Sequence, residues 1–86
     1  QRFDALVRLS GQETRPLRLW SAAHLHAGSG AWTARIVPLA ADRIGPGEEG
    51  LAQIVADRPL ALFGGDRFIL RDAAGRRTIG GGTVLD

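Results

Sequence analysis

Cysteine is absent from the 86 residues, and so are lysine and tyrosine. Without cysteine there is no disulfide framework and no thiolate metal site, a composition that suits a reducing compartment. Without lysine, a phosphate-binding loop of the GxxxxGK type is excluded. Serine is scarce: Ser10, Ser21 and Ser29 are all there are, and none sits in a GxSxG elbow. The three Glu and six Asp are scattered through loops and strand ends, with no pairing that suggests acid–base chemistry. No apolar run is long enough to span a membrane, and Gln1 does not open a signal peptide. The first residue is not Met, so the chain reads as a piece of a larger protein.

What is present suits one small folded domain, residues 1–86. Hydrophobic residues make up 44% of the chain, enough for one core. A chain this short buries roughly 60–65% of the surface that its unfolded form exposes. All eleven basic residues are Arg, against nine acidic ones, and the net charge of +2 is too small to argue for nucleic acid by itself. Where Arg clusters, its planar fork suits phosphate or carboxylate.

Period-two patterns dominate. Phe3, Ala5, Val7 and Leu9 alternate with Asp4, Leu6 and Arg8. Leu17 to Trp20 and His24 to His26 read as short extended pieces, the second ending at the turn Gly28-Ser29-Gly30. From Ala31 to Leu39, Trp32, Ala34 and Ile36 share one face, while Thr33, Arg35 and Val37 share the other. Pro38 suggests that this strand ends at a sheet edge. Asp42 to Gly50, with Gly45-Pro46-Gly47, is a loop. Glu48 to Ala56 has a partial helical period, but Gly50 and Pro59 argue for a strand. Arg58 to Leu62 continues extended. A final hairpin runs from Gly64 to Asp86, with strands over Arg67–Arg71 and Thr78–Leu85 around the polar loop Asp72–Arg77. About six short strands without a long amphipathic helix predict an all-β barrel or sandwich.

Four features invite chemistry. His24 and His26, two apart on one strand face, have the spacing to share a metal, but a zinc site wants more ligands than they supply. Gly80-Gly81-Gly82 interrupts an apolar strand. That marks a barrel corner or a close backbone approach rather than a phosphate cradle, because no helix follows. Arg71, Arg76 and Arg77, with Arg67 upstream, either face phosphates or form a solvated rim paired to Asp66 or Asp72. Trp20 and Trp32 are expected to fill the core or seal a barrel end.

The run GDRFILRD, Gly65 to Asp72, followed by RTIGGGTVLD, Arg77 to Asp86, resembles the end of the third domain of bacterial selenocysteine-specific elongation factors. HLHAGSGAWTARI (His24 to Ile36), PGEEGLAQI (Pro46 to Ile54) and RPLAL (Arg58 to Leu62) match the same domain in the same order. The plan is similar to the C-terminal barrel of elongation factor Tu. The resemblance implies a six-stranded antiparallel β-barrel without catalytic residues, cofactor or metal of its own. It implies a cytoplasmic parent GTPase that uses GTP and magnesium and delivers selenocysteinyl-tRNA to the ribosome. In that parent, a GTPase domain and a second barrel precede this chain and winged-helix domains follow it. It further implies RNA-backbone contacts at the turn His26, Ala27 and Gly28 and at the loop Arg71, Asp72, Ala73, Gly75, Arg76 and Arg77, which is longer here than in elongation factor Tu. Two other readings stand beside it: a structural barrel in the GTPase subunit of a sulfate-activating enzyme, and a plain protein-interaction barrel.

Overall fold

In the computed structural model, which describes residues 1–85, the alternation at the N-terminus becomes β1, Arg2–Leu9. Its residues Ala5, Val7 and Leu9 point into the core and are buried. The other elements are β2 (Leu17–Arg18), β3 (Ser21–Ala27), β4 (Gly30–Pro38), β5 (Arg43–Ile44), β6 (Glu49–Ala56), β7 (Arg67–Arg71) and β8 (Thr78–Val84). Six of them close into a barrel in the order β1-β6-β4-β3-β7-β8, every neighbouring pair antiparallel, with β8 returning to β1. The expected six-stranded antiparallel barrel is therefore present, and Glu48 to Ala56 supplies a strand rather than a helix. Closure removes the unpaired edges that make open sheets sticky. Asp86, the last residue of the expected hairpin, lies outside the described residues.

The barrel is narrow because its lining alternates small and large. Ala5, Ala23, Ala34 and Ala52 leave room for Leu9, Leu25, Ile36, Ile54 and Leu70. Register places Gly80 level with Leu9 and Leu70, and Gly82 level with Val7 and Phe68, so both glycines lie on the inward side of β8. A Cβ on Gly80 would meet the Arg8 carbonyl oxygen at 2.2 Å. One on Gly82 would meet the Leu6 carbonyl oxygen at 2.5 Å and the Phe68 ring at 2.6 Å. The glycine run thus answers to close approach: it lets β1 and Phe68 crowd against β8. Phe68 in turn meets Phe3 edge-on, with ring centroids 6.0 Å apart.

Four expectations need correction. The first strand candidate after β1 stops at Arg18, because Trp20 adopts φ 64° and turns the chain. Leu17 is buried there while Leu19 is exposed, so they do not share a face. The same turn leaves Trp20 47% exposed, not in the core, whereas Trp32 does seal one end of the barrel. Arg58 to Leu62 forms no strand; it crosses that end, where Trp32 Nε1 donates to the Pro59 carbonyl at 3.2 Å and the Arg58 guanidinium sits 5.1 Å over the indole. Pro38 does not mark a sheet edge, since β4 is paired on both sides. It is tolerated because the Leu39 amide bonds β6, so the amide that Pro38 lacks would face β3, whose pairing has already ended at Ser21. The loop at 42–50 also holds β5, which pairs with β2 and puts Leu17 opposite Ile44, both buried, under the other end of the barrel.

The crowding at β8 predicts a ranking. Gly80→Ala should lower the unfolding free energy by about 3 kcal/mol, the upper part of the usual overpacking range. Gly28→Ala, at φ 57° with open space around it, should lose about 1–2 kcal/mol from its left-handed backbone alone. Urea unfolding of the two variants checks the order.

Candidate nucleic-acid interface

The β7–β8 hairpin presents the loop at 72–77, and the loop's own side chains shape it. The Asp72 amide donates to the Arg77 carbonyl at 3.0 Å, and the Gly75 amide donates to the Asp72 carbonyl at 2.8 Å. Gly75 takes φ 72°, which a glycine adopts without a Cβ penalty. The Arg76 amide donates to Asp72 Oδ1 at 2.7 Å, and Arg77 Nη1 reaches Oδ2 at 3.3 Å. From the loop that follows β1, Glu13 takes the Arg77 fork with both oxygens, at 2.8 and 3.4 Å. The Arg76 amide is the main reason that the Asp72 carboxyl is held below its ordinary range; slight desolvation opposes the shift, and Arg77 adds to it. The bond to Glu13 raises the Arg77 guanidinium above its ordinary value.

β3 supports the loop from beneath. His24 Nε2 lies 2.9 Å from the Ala73 carbonyl oxygen, so this nitrogen carries the proton and donates. The imidazole also packs against Gly75, where an added Cβ would sit 3.7 Å from the ring. His24 therefore positions the loop. No group of three or more His, Cys, Asp or Glu close enough to hold a metal ion exists among the described residues.

The residues singled out by sequence fall into two clusters on one outer face. Arg71 is level with His24, at the loop end of the β3–β7 pair. Its Nε is out of reach of solvent and has no hydrogen-bond partner. Arg76 is exposed and makes no ion pair among the described residues. His26, Ala27 and Gly28 lie toward the opposite end, where β3 turns into β4 and His26 is level with Ile69. At a strand rise of about 3.3 Å per residue, His24 and Gly28 are roughly 13 Å apart, so the turn and the loop form two ends of a strip rather than one pocket. Of the two fates expected for the arginines, Arg77 takes the ion pair, though its stronger partner is Glu13, and Asp66 instead accepts from the Phe63 amide at 2.9 Å.

Two participants escaped sequence reasoning. Arg35, exposed on β4 and level with Ala22, extends the basic strip past His24 and donates to the Trp20 carbonyl at 3.3 Å. The alternation over 31–39 placed it on the outer face, and that signal was there to be used. Glu13 stands 64 residues from Arg77 and carried no local signal.

The depressed Asp72 carboxyl fixes the sign of a pH effect. A group with a lowered folded-state value stabilises above its unfolded value and loses that contribution as pH falls through the folded one. The loop should therefore keep its shape from neutral pH down past 3.8, the ordinary aspartate value, and open only below it. The Arg76 amide resonance, followed by NMR titration, should move with a midpoint under 3.8, and Asp72→Asn should abolish that step.

Comparison with known proteins agrees with this architecture. The family model described as "Selenocysteine-specific elongation factor, beta-barrel domain" matches residues 4–86. The chain is 35% identical over 74 residues to the selenocysteine-specific elongation factor of Escherichia coli (strain K12), a match covering 86% of this chain and 11% of that protein. It is 34% identical over 84 residues to the selenocysteine-specific elongation factor of Desulfomicrobium baculatum, covering 98% of this chain and 13% of that protein. The chain thus spans little more than a tenth of the length of the curated relatives that it matches. With a family model across nearly its whole length and a closed antiparallel barrel behind it, the chain belongs to the family of selenocysteine-specific elongation factor β-barrel domains.

Proposed function

We propose that this barrel is a non-catalytic module of a selenocysteine-specific elongation factor, one that holds the backbone of selenocysteinyl-tRNA along the outer face of β3 and β7 and packs against sibling domains. The observation that supports it best is the prearranged loop at 72–77. Asp72, His24 and the Glu13–Arg77 pair set its shape, while Arg71 and Arg76 are left without carboxylate partners among the described residues. Guanidinium groups held beside one another on an ordered loop suit phosphate oxygens, and such contacts position a nucleic acid without reading its bases. The turn at His26, Ala27 and Gly28 gives the strip a second contact about 13 Å away, by strand rise. An elongated strip suits an RNA stem better than a free nucleotide.

The same chemistry argues against catalysis in this module. No polar or charged side chain is buried among the described residues, so the surface offers no desolvated acid, base or nucleophile. GTP and magnesium belong, on this reading, to another domain of the parent protein, which works in the cytoplasm and hands its tRNA to the ribosome. Membership of the elongation factor family sets the sulfate-activation reading aside. A protein-interaction role is kept as the interdomain half of the proposal.

The test uses the full-length factor with Arg71→Ala and Arg76→Ala together, leaving Arg77 in place because its ion pairs hold the loop. Affinity for the tRNA should fall. The slope of log K against log salt should become shallower by about 1.4–1.8, the loss of two phosphate contacts at roughly 0.7–0.9 each. Unchanged affinity and slope would remove this face from the RNA site.

A further inference from the structure

On the outer side of β8 the barrel carries a shallow trough of about 760 Å³ that the RNA strip does not use. Gly81 forms its floor, level with Arg8 on β1 and Ile69 on β7. A Cβ on Gly81 would lie 2.8 Å from the Phe68 carbonyl oxygen, so barrel packing itself keeps this floor bare. Leu6 and Ile69 line the sides, and Ile69 is 48% exposed although it is aliphatic and central to its strand. Leu6 is level with Leu51 on β6, another exposed leucine, so the apolar stripe runs across three strands of a closed sheet. The outer face of a small barrel standing alone would be polar at such positions.

The rim is charged. Arg8 and Arg67 stand on opposite banks, and neither makes an ion pair among the described residues. Glu49 is level with Arg8 on the neighbouring strand yet does not reach it within ion-pair distance. Two free guanidinium groups over an aliphatic floor call for a partner that brings an apolar side chain and a carboxylate together. An RNA backbone matches the arginines but gains nothing from Leu6 and Ile69, and Glu49 would repel it. A protein surface matches both. The relatives, of which this chain covers only 11–13%, carry most of their length outside this barrel.

We infer that the Gly81 trough docks another domain of the same polypeptide, which seats an apolar side chain on Leu6 and Ile69 and places an acidic side chain between Arg8 and Arg67. This inference rests on membership of a multidomain family and not on the RNA reading, so either can fail without the other.

The experiment is thiol labelling of the full-length factor, otherwise free of cysteine and free of RNA. Ile69→Cys reports from the trough floor, Thr83→Cys from beside it should Ile69→Cys fold poorly, and Arg15→Cys from an exposed loop. Maleimide should modify position 69 or 83 about tenfold more slowly than position 15, as expected where contact must open before reaction. Arg8→Glu with Arg67→Glu should bring the trough rate up to the control rate at unchanged Tm. Equal rates at the trough and the control in the RNA-free protein would overturn the docking site. So would protection that appears only when tRNA is added, which would give the trough to RNA. Protection that survives the double charge reversal would overturn the acidic partner.

Discussion

The approach of β1 and β7 to β8 is the contact on which the rest of this barrel depends. Six strands enclose a lumen with space for few side chains, and the lining must thin wherever a bulky one enters. Phe68 is that bulky group, and it fits because β8 offers Gly80 and Gly82 where other strands offer side chains. The inward glycines draw the β1 carbonyls close, which closes the cylinder. The outward one, Gly81, leaves a hollow on the far side of the same strand. A single packing requirement thus sets the interior and shapes the exterior.

Much of the fold was legible because each long strand alternates cleanly. β1, β4 and β7 place their buried residues on the face that the period-two pattern assigned. The misreadings share a cause: the decisive partner is distant in sequence. Nothing near Trp20 announces a left-handed backbone, which is held by its amide bond to Ile36 and by Arg35. Arg58 to Leu62 has the composition of a strand, yet its groups are claimed by Trp32 across the barrel mouth. Leu17 and Ile44 gain meaning only as a pair.

The candidate site divides along the same line. The residue types in the loop, and the competition of phosphate with carboxylate for its arginines, were visible in sequence. The outcome was not, because Glu13 arrives from beyond β1 to claim Arg77 and His24 comes from β3 to hold Ala73. The result is a division of labour: acidic and imidazole groups fix the backbone, and the arginines left over remain available to a ligand. A loop ordered in advance gives up less conformational freedom on binding than a floppy one.

The Glu13–Arg77 pair also has a consequence for how the domain comes to be active. It joins residues on either side of the β1–β8 seam, the pairing of the first strand with the last. Contacts of such long sequence separation are among the costliest in chain entropy, because nearly the whole polypeptide must be ordered before they are rewarded. The loop therefore acquires its working shape with the closing of the seam. A nascent or partly opened chain, however much sheet it has formed, presents its arginines on an untethered hairpin. Ligand competence is in this way tied to completion of the fold, a proofreading of assembly written into one ion pair.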